Sequence, residues 1–197
     1  MVLAEPVQIT QLIAEVFDRL QIPYLTGGSL ASSLHGIPRA TQDVDMVADI
    51  KPHHVALLAE ALKTTFYIDA VTVQEAIQRG SSFNIIHLAT MFKVDIFVLQ
   101  EDIASQEEMA RREKYQISES ESEFYVASAE DTILHKLYWF QLGGGVSERQ
   151  WNDILGVFQV QHEKLDFSYL KRGAVLRGVT KLLKQAFKDA NTEISDQ

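Results

Sequence analysis

Cysteine is absent from this chain of 197 residues, which excludes disulfides and thiolate metal centres and agrees with a reducing compartment. Basic residues are in deficit: 18 Lys and Arg stand against 27 Asp and Glu, and the formal charge of −9 opposes any general attraction to a phosphate backbone. Contact with a nucleic acid must therefore be local. Long apolar runs are lacking as well. The opening MVLAEPVQIT has neither the basic flank nor the apolar stretch of a secretory signal, and no later segment approaches the ~20 apolar residues of a membrane helix. The expectation is a soluble cytoplasmic protein with no membrane partner. There is no internal repeat or low-complexity tract, which argues against a solenoid. Among the histidines only His53 and His54 are close in sequence, and adjacent positions on a helix point in different directions, so a zinc site is not expected.

What is present suits a folded protein. Hydrophobic residues make up 46% and charged residues 23% of the chain, proportions of a globular sequence. The apolar positions Val7, Ile9, Leu12, Ile13, Val16, Phe17 and Leu20 recur mostly at helical spacing until Pro23. Tyr24-Leu25-Thr26 then reads as a short strand entering Gly27-Gly28, and Ser29 to His35 as a helix that Gly36 ends. Strand, glycine turn and helix together make an anion-binding arrangement.

Val44 to Ala48 is a buried strand by composition, followed by helices over about 52–63 and 73–78. Phe83 to Leu88 and Phe92 to Leu99 predict a hairpin. A charged helix over 103–114 and a Ser/Glu-rich solvated loop from Ser118 to Glu123 close the mixed half. Beyond Ser128 the pattern is helical, over 129–142, 148–160, 167–174 and 179–190, with Gly143-Gly144-Gly145 as a flexible connection. The reading is a mixed α/β (α+β) core over 1–125 and a helical lobe over 126–197.

The chemistry concentrates in three acids. Asp43 and Asp45 flank Val44 on a strand, and side chains two apart on a strand share a face. At a rise of ~3.3 Å per residue two such carboxylates can converge on one hard cation. Unpaired beside an apolar layer they would cost several kcal/mol each, so they require a metal or cationic partners, of which Arg39 is the nearest in sequence. Asp95 repeats the pattern within Lys93-Val94-Asp95-Ile96-Phe97-Val98. If the two strands are neighbours, three carboxylates meet at one edge of the sheet and offer oxygen ligands to two Mg²⁺ ions. Gly28 and Ser29 face the anion side, where backbone N–H groups at a helix start approach a phosphate without obstruction.

Other readings compete residue by residue. Asp43 and Asp45 alone would also suit surface ion pairs on an edge strand, and Ser29 alone a helix cap. Arg149 and Asp153, at i and i+4, predict a structural pair. Lys136 also fits a solvated helix face, and Trp139, Phe140 and Trp151 fit a core. Lys171, Arg172, Arg177, Lys181 and Lys184 form a locally basic stretch that suits a polynucleotide or a solvated surface equally.

The run Gly27-Gly28-Ser29 through Thr41-Gln42-Asp43-Val44-Asp45-Met46 resembles the signature of the polymerase-beta-like nucleotidyltransferase superfamily, with residues 30–42 as the spacer. The longer string of Thr26 to Ala31, His35-Gly36, Arg39, Thr41, Asp43 and Asp45 is most similar to the branch of AbiEii-like toxins and related bacterial proteins. In that branch Lys93-Val94-Asp95 corresponds to the strand of the third carboxylate. Similarity extends to Ala129-Glu130-Asp131, Lys136-Leu137, Arg149, Asp153-Ile154 and Leu165-Asp166 in the helical half.

The resemblance implies a mixed sheet flanked by helices and a transferase that moves a nucleotide from a nucleoside triphosphate to an acceptor hydroxyl on an RNA end or a protein. Asp43, Asp45 and Asp95 would serve as catalytic and metal-binding residues, with Mg²⁺ or Mn²⁺ as cofactor. Gly28, Ser29, Arg39 and Lys136 would bind the nucleotide, and an antitoxin-like protein would be a partner. The alternative is a non-catalytic nucleotide-binding or toxin–antitoxin interaction module with the same fold.

Overall fold

The computed structural model describes residues 4–116 and 123–195. Contacts group the chain into two compact units: residues up to Leu30 with Thr41–Ala127, and Ala31–Ala40 with the residues from Ser128 onward.

The first unit is built on a seven-stranded mixed sheet. Its strands are β1 (Tyr24–Thr26), β2 (Asp43–Ala48), β3 (Phe66–Tyr67), β4 (Ser82–His87), β5 (Lys93–Val98), β6 (Glu113–Gln116) and β7 (Glu123–Val126). They lie in the order β3-β4-β5-β2-β1-β7-β6. The expected hairpin is the antiparallel pair β4–β5, while β2 runs parallel to β5 and antiparallel to β1. Helices α1 (Glu5–Arg19), α3 (Val55–Leu62) and α4 (Ala70–Arg79) pack together beside the sheet, and α5 (Ile103–Arg111) follows β5. A 3₁₀ turn, Pro52–His54, leads into α3 and replaces the first turn of the helix expected from Pro52.

Alternation decides which strand face is buried. Val44, Met46, Val94 and Ile96 have no exposed surface, whereas Asp43, Asp45 and Asp95 between them are partly exposed. The apolar residues leave the sheet on one face and the acids on the other. The acidic face is closed further along the strands by Leu25, Val47, Leu99, Met109 and Ala127, a small apolar cluster of their own. The acids therefore sit at one end of a face whose other end is core.

Helix α2 (Gly28–His35) starts in the first unit, and its residues from Ala31 onward group with the second. The second unit also holds α6 (Ala129–Leu142), α7 (Glu148–Gln161), α8 (Phe167–Leu176) and α9 (Thr180–Ser195). Side chains cap three of these helices: Ser128, Ser147 and Asp166 accept hydrogen bonds from the backbone N–H groups of Asp131, Gln150 and Tyr169. Ile133, Leu134, Leu137, Ile154, Phe158 and Leu170 lead a core drawn from all four helices.

Several expectations need correction. Helix α5 stops at Arg111 because Arg112 is extended, and Glu113 opens a strand instead of continuing the helix to Lys114. Most of the loop expected over Ser118–Glu123 lies outside the described residues, and Glu123 begins β7. Trp139 is not core but half exposed, while Phe140 and Trp151 contact each other with ring centroids 5.0 Å apart. No helix among the described residues is long and apolar enough to cross a membrane.

Candidate active site

The register of β2 and β5 brings the three acids together. Asp45 pairs with Asp95, and Asp43 pairs with Lys93, in a parallel ladder. Paired residues on neighbouring strands project to the same face, so Asp43, Asp45, Lys93 and Asp95 form one block. Asn84 of β4 pairs with Asp95 from the other side and extends the block with a polar neighbour. Thr41 braces its start, donating from Oγ1 to the Asp43 carbonyl at 3.0 Å and to Asp43 Oδ1 at 3.2 Å.

Gly27 and Gly28 complete the arrangement. The Gly27 N–H donates to the Asp45 carbonyl at 2.8 Å, which fixes the turn beside the acidic strand. Gly28 has φ +57°, and a Cβ placed on it would stand 1.9 Å from Asp45 Oδ2. Both backbone conformation and space demand glycine there. Ser29 follows in the first turn of α2, where helix geometry leaves the N–H groups without intrahelical partners. Glycine backbone, helix start and a carboxylate thus converge within one small region of the first unit.

The acids are not gathered into a ready-made cage. Among the described residues no group of three or more His, Cys, Asp or Glu side chains is close enough to hold a metal ion. On the same face Lys93 Nζ stands 2.6 Å from Asp95 Oδ2. This hydrogen bond raises the Lys93 ammonium above its usual range; burial opposes it, and the charges of Asp95, Asp43 and Asp45 add to the rise. Asp95 is accordingly answered by a cation of its own strand, and Arg39, the cation nearest to Asp43 in sequence, is engaged elsewhere. In donor type, three hard carboxylates on one strand face beside a glycine that yields its side-chain space to one of them are the oxygen ligands a hard divalent cation takes.

Arg39 and Lys136 come together in the second unit. Arg39 grips Asp153 with two parallel bonds, Nε to Oδ1 at 2.6 Å and Nη2 to Oδ2 at 2.7 Å, and Lys136 Nζ donates to Oδ2 at 2.7 Å. The Asp153 side chain is only 5% exposed and that of Lys136 10%. Burial alone would push the Asp153 carboxyl up, but the hydrogen bonds from Arg39 and Lys136 outweigh it and hold the group below its ordinary range. The expected Arg149–Asp153 pair is thereby corrected, and Lys136 is buried, not solvated. Two cations on one carboxylate leave this cluster with a net positive charge.

Elsewhere in the helical unit Asp131 has no exposed surface and accepts hydrogen bonds from Ser128 Oγ at 2.7 Å and Tyr169 Oη at 2.6 Å. Lys171, Arg172, Lys181 and Lys184 lie on exposed positions of α8 and α9.

Sequence reasoning singled out the acids as candidates and missed Lys93 as the partner of Asp95 and Asp153 as the anchor of Arg39 and Lys136. The first had a visible signal, since Lys93 stands two residues before Asp95 on the same strand. The second had none, because 114 residues separate Arg39 from Asp153.

No family model matches the sequence, and neither does any curated protein. Solved structures do. An antigenic nucleotidyltransferase-like protein from Paracoccidioides brasiliensis superposes with a TM-score of 0.58 at 17% identity, over 93% of this chain and 92% of the other. ANT(2'')-Ia in complex with adenylyl-2''-tobramycin gives 0.55 at 14% identity, over 92% and 99%. The lincomycin-bound lincosamide antibiotic adenylyltransferase gives 0.52 at 13% identity, over 81% and 98%. At these identities the likeness establishes a shared fold, that of nucleotidyltransferases.

Proposed function

We propose that this protein is a metal-dependent nucleotidyltransferase that moves a nucleoside monophosphate from a nucleoside triphosphate to an acceptor hydroxyl. The observation that carries this reading is the register of Asp45 with Asp95, beside Asp43 and against the Gly28 turn. Asp43, Asp45 and Asp95 would hold Mg²⁺ or Mn²⁺, which supplies charge neutralisation for the triphosphate and the departing pyrophosphate. Gly28 and Ser29 present backbone N–H groups to the phosphates at the start of α2. Arg39 and Lys136 carry the net positive charge suited to the triphosphate tail.

The acceptor hydroxyl gives its proton toward Asp95 as its oxygen forms a bond to the α-phosphorus. The bond from that phosphorus to the bridging oxygen breaks, and pyrophosphate leaves.

The string from Thr26 to Asp45 supports an AbiEii-like, toxin-type protein with an antitoxin-like partner and an RNA end or a protein hydroxyl as acceptor. The charge of −9 favours a locally recognised acceptor over a polynucleotide gripped along its length. Two fold neighbours are named as an antibiotic adenylyltransferase or bound to an adenylylated antibiotic, so small-molecule hydroxyls belong in the assay. A second reading, a non-catalytic nucleotide-binding or toxin–antitoxin interaction module, is favoured by the Lys93–Asp95 pair.

The deciding experiment incubates the protein with each α-labelled nucleoside triphosphate, Mg²⁺ and a cell extract, then separates RNA, protein and small molecules. Label on one fraction, dependent on Mg²⁺ and absent with D45N, is the expected result. Nucleotide binding without transfer to any fraction would leave the non-catalytic module as the better reading.

A further inference from the structure

We propose that Lys93 competes with a divalent cation for Asp95, and so sets how readily the acidic face takes up metal. The inference rests on the reading of that face as a metal site and concerns its regulation. Lys93 and Asp95 project from one face of β5, and the ladder with β2 sets them opposite Asp43 and Asp45. Three negative charges and one positive charge therefore share a two-by-two block of adjacent positions. The ammonium lies 2.6 Å from Asp95 Oδ2, where an ion binding Asp95 together with Asp45 would draw on the same oxygens.

What holds Lys93 there is charge, not packing. Its side chain is 46% exposed and that of Asp95 23%, so the four-carbon stem has open space into which to swing. Its neighbour in the strand, Val94, is fully buried and anchors β5 whichever way the ammonium points. Loading a divalent cation thus exchanges one cation for another of higher charge, at the expense of the Lys93–Asp95 pair. Such an exchange lowers apparent metal affinity and keeps the three acids from repelling one another beforehand.

The test uses Mn²⁺ as the probe, titrated into the full chain and followed by calorimetry and water-proton relaxation at fixed ionic strength. K93M should bind Mn²⁺ more tightly than the wild type, on the order of tenfold, because a unit charge next to the ion is removed. K93R, which keeps the charge, should stay near the wild type. K93Q repeats the measurement with a polar side chain in case K93M folds poorly. A solely structural ion pair would not raise metal affinity when broken.

Equal or weaker Mn²⁺ binding by K93M and K93Q, with D45N still weakening it, would overturn the competition while leaving the metal site standing. Absence of Mn²⁺ binding in every variant, with or without a non-hydrolysable nucleoside triphosphate analogue, would overturn both.

Discussion

Asp45 sets its carboxylate against the backbone of Gly28, where a methyl group would come within 1.9 Å of Oδ2. The contact couples the acidic strand to the start of α2, because Gly28 is also the residue whose positive φ turns the chain into that helix. Gly28→Ala is therefore expected to act twice. Strain from a side chain at φ +57° costs about 1–3 kcal/mol, and the displaced Asp45 loses its place beside Asp95. Gly27→Ala is the control, since nothing lies within 4 Å of a Cβ there and its effect should stay within about 0.5 kcal/mol. Urea unfolding of both variants checks the contrast, and equal stabilities would contradict the packing described.

Asp43 and Asp45 share a face with each other and with Asp95, and like charges so placed repel. Replacing either with Asn should leave the fold intact and its stability unchanged or raised by up to about 1 kcal/mol. Nucleotidyl transfer should fall at least about a hundredfold, since several kcal/mol of charge stabilisation depend on the lost oxygen. Thermal unfolding and the labelling assay on the same preparations separate the two effects. Full activity in both variants would defeat the proposed mechanism.

Tyr169 closes the hydrogen bonding of a carboxylate that has no exposed surface, donating to Asp131 Oδ1 at 2.6 Å. Tyr169→Phe keeps the ring in the core of the helical unit and removes that donor alone. A loss of about 1–3 kcal/mol is expected, in the range for depriving a buried charged acceptor of a partner. Denaturant titration measures it. A value near zero would mean that the other donors to Asp131, Ser128 Oγ among them, satisfy the carboxylate by themselves.

Periodicity carried most of the architecture. The alternation around Val44 and Met46 predicted which residues face the core, and the helical repeats placed α6 over Ala129–Leu142 from sequence alone. What local pattern cannot carry is pairing. Nothing near Asp45 states that Asp95 lies opposite it, and the ladder that does so forms only when β2 and β5 meet across the intervening 3₁₀ turn, α3, β3, α4 and β4. Short strands such as Phe66–Tyr67 and the charged Glu113–Gln116 have too few apolar residues to register, and the latter reads as the end of a helix. At Asp153 the i, i+4 rule named Arg149, but a buried carboxylate is satisfied by whichever cations the tertiary fold delivers, here Arg39 and Lys136.

That buried cluster should make stability depend on pH in a particular window. The Asp153 carboxyl is held below its ordinary value of 3.8 in the folded protein, so the unfolded chain takes up its proton first as the pH falls. Stabilisation by ionised Asp153 is therefore fully present above about pH 5, starts to decline near the unfolded value, and is lost as the pH drops through the folded one. Asp153→Asn leaves the buried Lys136 and the partly exposed Arg39 beside a neutral group and should cost about 3 kcal/mol at neutral pH. The gap between wild type and variant should narrow as the pH is lowered from about 5 toward about 2, because protonation removes the same charge from the wild type. Unfolding midpoints in urea across that range test the sign. A gap that stays constant would show that the carboxylate charge is not what holds Arg39 and Lys136 in place.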